Sequence, residues 1–110
     1  MIINSTSFRS ITIDGKTYNH DVWIFVDKTI KRRDRNHEFT LEEFNIITKG
    51  NPEIVVIGTG QYGVVKITEE VIKAAKEKNI ALIYDKTPNT IKKFNELKDK
   101  KIAAAFHTTC

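Results

Sequence analysis

A single cysteine, Cys110, stands in the 110 residues, so no disulfide can close within the chain. Such cysteine usage fits a reducing compartment. No apolar run approaches the length of a membrane span, and the N-terminus lacks the basic and apolar regions of a signal peptide. The expectation is a cytoplasmic protein without membrane contact. His20, His37 and His107 are too widely spaced to form a short metal-ligand motif, so neither metal nor cofactor is expected. Repeats, low-complexity stretches and long linkers are also missing. One domain over 1–110, with a modest core, is therefore expected.

What is present is an ordinary globular mixture, with 40% hydrophobic and 29% charged residues and a formal net charge of +4. Much of the basic excess lies in two clusters. Lys28, Lys31, Arg32, Arg33 and Arg35 form the first; Lys92, Lys93, Lys98, Lys100 and Lys101 form the second. Acids (Asp27, Asp34, Glu96, Asp99) interrupt both, and no helix-turn-helix, zinc or aromatic RNA-binding signature accompanies them. Solvated surface is the better reading, which argues against nucleic acid as a partner.

Residues 54–63 carry a β-branched run ending in Gly58, Gly60 and Gly63, the G-x-G-x-x-G spacing of a dinucleotide loop. That motif requires a helix directly after the glycines, so that pyrophosphate rests on its first N–H groups. Val64-Val65-Lys66-Ile67 follows instead and is poor helix-starting material. The first credible start is Thr68 as N-cap, and Glu69 and Glu70 in its first turn would repel a phosphate. The glycines are then read as a tight turn with close backbone packing.

The rest of the chain alternates strands and helices. Residues 7–13 alternate around Ile11 and Ile13 and meet Asp14-Gly15, a hairpin turn signal. A long return strand places Tyr18, His20, Val22, Ile24 and Val26 on one face, with Trp23 and Phe25 on the other. Asp27–Asn36 reads as a polar basic loop. Thr40-Leu-Glu-Glu43 has capping-box spacing and opens a helix carrying Leu41, Phe44 and Ile47; Gly50-Asn51-Pro52 closes it. A buried strand at Ile54–Ile57 precedes a helix from Thr68 to about Lys78, which turns Val71, Ile72 and Ala75 inward and pairs Glu69 with Lys73. Asn79 ends that helix before a strand at Ile80–Tyr84. Thr87-Pro88 reads as N-cap and N1 of a helix with Ile91, Phe94 and Leu97 inward. A strand at Lys101–Phe106 leads to a flexible tail, His107 to Cys110. The expected fold class is α/β, with a mixed sheet, an N-terminal hairpin and helices packed on it.

In order, these features resemble the Mth938-like domain family over nearly the whole chain. The specific parts are the Asp14-Gly15 hairpin, Val56-Ile57-Gly58-Thr59-Gly60, Thr87 with Phe94-Asn95-Glu96-Leu97, and Ala103-Ala-Ala-Phe106-His107-Thr-Thr-Cys110. The resemblance implies a compact three-layer domain with a mixed central β-sheet, usually a monomer in solution, with weak dimerisation as the alternative. The family includes archaeal and bacterial proteins of unassigned activity. Its relatives in higher organisms are linked to adipocyte differentiation and to respiratory complex I assembly. It supplies no enzymatic mechanism. Some relatives carry an intramolecular disulfide, which the single cysteine here cannot form.

Candidate site residues follow from the sheet. Gly58, Thr59, Gly60 and Gln61 come just after a buried strand, where open α/β sheets tend to bind ligands, and free N–H groups there suit a carboxylate or small anion. Asp85 and Thr87 follow the next strand and line the same edge. Arg33, beside Arg35, meets an anion there or stays a solvated loop charge. Asn95 is more simply a hydrogen bond to a neighbouring loop. A nucleophilic Cys110 needs an ordered base, and a terminal position disfavours it. The sequence thus reads as a non-catalytic protein-binding or assembly module. The alternative is a small-molecule or anion-binding protein, an enzyme included, with its site at the Gly58–Gln61 turn.

Overall fold

A computed structural model describes residues 1–97 and 99–110; Lys98, counted above in the second basic cluster, lies outside the described residues. The elements run β1 (Ile3–Ser7), β2 (Ser10–Ile13), β3 (Lys16–Tyr18), β4 (Val22–Ile24), β5 (Ile30–Arg32), β6 (Glu38–Phe39) and α1 (Leu41–Ile47). They continue with β7 (Ile54–Gly58), β8 (Lys66–Ile67), α2 (Glu69–Glu77), β9 (Ala81–Asp85), α3 (Thr87–Glu96) and β10 (Ile102–Phe106). The result is a compact α/β domain around a mixed sheet of order β5-β4-β10-β7-β9. β10 runs parallel to β7 and antiparallel to β4, and β9 is parallel to β7. A three-stranded sheet, β1-β2-β3, and a short β6-β8 pair complete it.

The sheet is buried on both faces, which explains why its central strands read as continuous apolar runs. On one face Val22, Ile24, Val56, Ala104 and Phe106 pack with Ile3, Ile11 and Ile13 of the N-terminal sheet and with Phe94 of α3. On the other, Val55, Ile57, Ala103 and Ala105 meet Phe44 and Ile47 of α1 and Val71 and Ala75 of α2. Three successive alanines in β10 let both layers approach the middle of the sheet closely. Phe94 and Phe106 meet edge to face, with centroids 6.0 Å apart.

Several expectations are met. Asp14 and Gly15 both take positive φ (49° and 80°), the geometry of a two-residue hairpin. Asn79 ends α2 with φ 56°. Residues 66–67 form a strand rather than a helix, so no helix opens on the glycine turn. Asn95 makes a structural hydrogen bond as expected, but to a strand rather than a loop: it bonds both Ile3 N and Ile3 O and thereby docks β1 on α3.

Others are corrected. The long return strand is broken at residues 19–21: β3 belongs to the N-terminal sheet and β4 to the central one. Val26 packs with the opposite layer from Val22 and Ile24. The polar segment 27–36 is no simple loop. A tight turn, with Lys28 at φ 74°, returns the chain into the outer strand β5. An additional strand, β1, precedes the hairpin and joins β2 through a turn in which Arg9 has φ 72°. Beyond α1 it is Asn51 (φ 54°), not Gly50, that takes the left-handed conformation. Ile72 is exposed while Val71 and Ala75 are buried, so the apolar face of α2 is narrower than expected. Ion pairs among the described residues involve Asp21, Arg33, Glu43 and His107, and Glu69 and Lys73 form none.

Candidate functional site

In the break between β3 and β4 a carboxylate, that of Asp21, is buried. Asp21 Oδ1 accepts from Thr108 N (2.8 Å) and Thr108 Oγ1 (3.0 Å). Its Oδ2 accepts from Arg33 Nη1 (2.9 Å) and His107 Nδ1 (2.6 Å). Burial acts to raise the Asp21 pKa, but the bonds from His107 and Thr108 and the attraction of His107 outweigh it and hold the carboxyl below its ordinary value. An ionised Asp21 fixes the His107 tautomer: Nδ1 carries the proton. The 3.4 Å approach of Arg33 Nη1 to Nδ1 therefore sets donor against donor and is not a hydrogen bond. On the far side of the ring, His107 Nε2 meets Thr109 Oγ1 at 3.0 Å.

Arg33 joins this centre to α1. Its Nε donates to Glu43 Oε2, and its Nη2 to Glu43 Oε1, Asn36 O and Glu38 O, each at 3.2 Å. Trp23 Nε1 adds a bond to Glu43 Oε2 at 2.8 Å. Every arm of the guanidinium is occupied, so Arg33 is not a solvated loop charge. The capping box expected at Glu43 is only half formed. Thr40 Oγ1 does accept from Glu43 N (3.3 Å), but the Glu43 carboxylate turns away to Arg33 and Trp23. Two carboxylates and one guanidinium are thus buried together, with His107 as the neighbour able to supply a second positive charge.

The glycine turn is built against the same tail. Thr59 N and Oγ1 donate to Asp85 O, Gly60 N to Thr87 Oγ1 (2.9 Å), and Gln61 N to Thr109 O (2.7 Å). Tyr62 N and Val64 N both donate to Cys110 O. The amides expected to be free for an anion are therefore spent on the chain's own segment. Gly60 has φ 112°, and a Cβ there would lie 2.7 Å from Cys110 O and 2.9 Å from His107 Cδ2. At Gly58 a Cβ would come within 2.7 Å of Thr87 Oγ1. His107, Thr108 and Thr109 are buried, which overturns the flexible tail.

Thr87 does not cap α3. Lys86 holds the N-cap position, while Thr87 Oγ1 donates to His107 O (2.6 Å) and accepts from Gly60 N. The helix, the glycine turn and the tail thus meet at one hydroxyl. Gly58, Thr59, Gly60, Gln61 and Thr87 are together, and Arg33 is linked to them through Asp21 and then His107. Asp85 joins through its backbone, its carboxylate being turned to Lys86 N (2.7 Å).

On the Asp21 side, a recess of about 110 Å³ opens over Thr108 and Thr109 and is rimmed by Arg9, Arg32 and Arg35. Asp21, Glu43, His107 and the paired threonines are what sequence reasoning missed.

The mixed five-stranded sheet, with α1 and α2 on one face and α3 and the N-terminal sheet on the other, defines a Mth938-like α/β domain. A family model for "Protein of unknown function (DUF498/DUF598)" matches residues 3–107, and the chain belongs to that family. It is similar to the crystal structure of the conserved hypothetical protein PH1505 from Pyrococcus horikoshii OT3, at 28% identity and TM-score 0.91, covering 100% of both chains. MT938 matches at 23% identity and TM-score 0.84, over 99% of this chain and 98% of that one. The solution structure of a Mth938-like domain from Bordetella pertussis matches at 9% identity and TM-score 0.72, over 97% and 85% of the respective chains. A search of curated proteins finds no match.

Proposed function

We propose that this chain acts as a single-domain, cytoplasmic protein-binding module, docking a partner along the edge formed by the glycine turn and β9. The observation that carries this reading is the exposure of Tyr62 (71%), Tyr84 (52%) and Val64 (45%). Residues 62–64 lie beside Lys86, since a Cβ on Gly63 would be 3.3 Å from Lys86 Cγ, and Tyr84 is two positions away on β9. Among the described residues β9 is the outer strand of its sheet, paired on one side by β7 and on the other by no strand. Its sequence, Ala-Leu-Ile-Tyr-Asp, has no charge before its last residue to discourage pairing. An extended apolar segment of a partner protein suits such an edge, because main-chain bonds supply affinity and the aromatic rings supply side-chain contact. The turn is preorganised by its bonds to Thr109 and Cys110, which limits the ordering cost of binding. Asp21, Arg33, Glu43 and His107 act as the scaffold behind it.

The test is site-specific photocrosslinking from positions 62 and 84 in cells that make the protein, with Glu42 on α1 as control. One protein captured at both edge positions and not at the control is expected. A crosslinked second copy of the chain, or equal capture from the control, refutes the reading.

A further inference from the structure

The geometry points to a second, separate site: a proton-linked binding site for a small multiply charged oxyanion, of the phosphate-monoester type, in the recess rimmed by Arg9, Arg32 and Arg35. The three guanidinium groups come from different parts of the chain, the β1–β2 turn, the end of β5 and the segment after it. Among the described residues none of the three pairs with a carboxylate, in contrast to Arg33 behind them. Arg9 instead lies over the Phe8 ring, 5.7 Å from its centroid. Its backbone is held at φ 72°, where a non-glycine residue is uncommon, and its N–H donates to Thr108 O at 2.9 Å. The β1–β2 turn is thereby tied to the floor of the recess. Three arginines that form no ion pair among the described residues line this cavity of about 110 Å³ and suit a compact oxyanion, because planar guanidinium forks match its oxygens.

The floor makes the site sensitive to protons. Thr108 Oγ1 donates to Asp21 and so offers the recess no hydrogen. Thr109 Oγ1 has two settings, fixed by His107. While His107 is neutral, Nδ1–H serves Asp21, and Nε2 is an acceptor that takes the Thr109 hydroxyl proton. Thr109, which lines the recess, then has no hydroxyl hydrogen to offer an anion there. When His107 gains a proton, Nε2–H donates to Thr109 Oγ1, and the hydroxyl hydrogen is released to an anion. Charge works in the same direction. The groups around His107 are Asp21 ahead of β4, Arg33 after β5 with Glu43 of α1 behind it, and the His37 ring 5.6 Å away; His20, whose Nδ1 lies 2.8 Å from Asp21 O, lines the recess itself. With Asp21 and Glu43 ionised and Arg33 charged, one negative charge is left over beneath the recess. Protonation of His107 cancels it. Anion binding and proton uptake at His107 therefore favour one another, by the reciprocity of linked equilibria.

The experiment is calorimetric titration of the full chain with sodium sulfate and with inorganic phosphate, at pH 6 and pH 8, in buffers of different ionisation heat. Sulfate does not titrate in this range, so its pH dependence reports the protein alone. Saturable sulfate binding that weakens at pH 8 and takes up protons is expected. Arg32→Gln with Arg35→Gln, both exposed in the parent, should weaken it about tenfold or more while leaving the circular dichroism spectrum unchanged. Thr109→Val should bind more weakly with reduced proton uptake. Absence of saturable binding at pH 6, equal affinity in the double arginine variant, affinity independent of pH, or a pH dependence that disappears in His20→Gln overturns the proposal. Much tighter binding of an oligonucleotide lacking terminal phosphate, with steep salt dependence, overturns it in favour of a nucleic-acid surface.

Discussion

Asp21 Oδ2 and His107 Nδ1 lie 2.6 Å apart across 86 positions of sequence, both buried. The pair ties the entry of β4 to the exit of β10, two strands that already run side by side. Because its partners hold Asp21 below the ordinary carboxyl value of 3.8, its ionised form is favoured by folding. That contribution is fully present above about 3.8, and it is lost as pH falls through the lower, folded value. Asp21→Asn should flatten this acid limb and destabilise the protein at pH 7 by roughly 3 kcal/mol, since Arg33 and His107 lose their shared partner. Urea unfolding of both proteins between pH 7 and pH 2 measures it. Identical acid limbs would remove Asp21 from the account.

Arg33 answers two carboxylates, so Arg33→Met leaves Asp21 and Glu43 buried without their cation. A loss of roughly 3–5 kcal/mol is expected, enough to unfold a marginal domain. Arg33→Lys should recover only part of it, because an ammonium cannot serve Glu43 and Asp21 in one plane. Chemical denaturation of the two variants decides the point. Stability of the Arg33→Lys protein equal to that of the parent would contradict the forked arrangement.

Thr87→Ala removes the acceptor of Gly60 N and the donor to His107 O together. The expected cost is about 1–3 kcal/mol, the range for buried groups left without partners. Thr87→Ser should retain most of the stability because it keeps the hydroxyl. A similar loss in both, read from thermal unfolding, would assign the effect to packing of the methyl group instead.

Gly60→Ala meets both a positive φ and the Cys110 main chain. Strain of about 1–3 kcal/mol is expected from the backbone alone, with more from displacing the tail. Amide exchange should then rise at Tyr62 and Val64, the donors to Cys110 O. Unchanged exchange there would mean that the turn does not hold the tail.

At Thr68 the opposite sign is expected. Among the described residues its hydroxyl is buried without a partner and makes no cap bond to α2. Thr68→Val should be neutral or stabilising, since the methyl that replaces the hydroxyl has nothing to satisfy. A loss near 1 kcal/mol in denaturant would restore the capping role that its position suggests.

The sheet is legible in the sequence because its signals are local. Apolar runs, Asp14-Gly15 and Asn79 each act through their own backbone, and a two-sided core leaves uninterrupted Val, Ile and Ala. The ionic centre is not, because its members are ordinary in isolation. Asp21 resembles one polar interruption in an alternating strand, Glu43 half of a capping box, and Arg33 one cation in a basic loop. Each is explained only by partners far away in the chain. Two weak signals exist. Asp is unfavourable inside a strand pattern, and the segment from Ile102 to Cys110 carries no acidic or strongly basic side chain, which is unusual for an exposed tail. Thr87 misleads for the converse reason: Thr-Pro is a sound helix start, and only the neighbouring turn diverts its hydroxyl.

The position of β10 has a consequence for how the protein is made. β4 and β7 flank it in the sheet, yet both are synthesised long before residues 102–106. On the ribosome the two halves of the sheet emerge without the strand that joins them, each with an unpaired inner edge. Until β10 arrives, the alanines that let the layers meet are missing, and Asp21 and Arg33 wait for His107. Completion of the core therefore waits for the pairing of a late strand with partners far away in the sequence, which makes its contacts non-local.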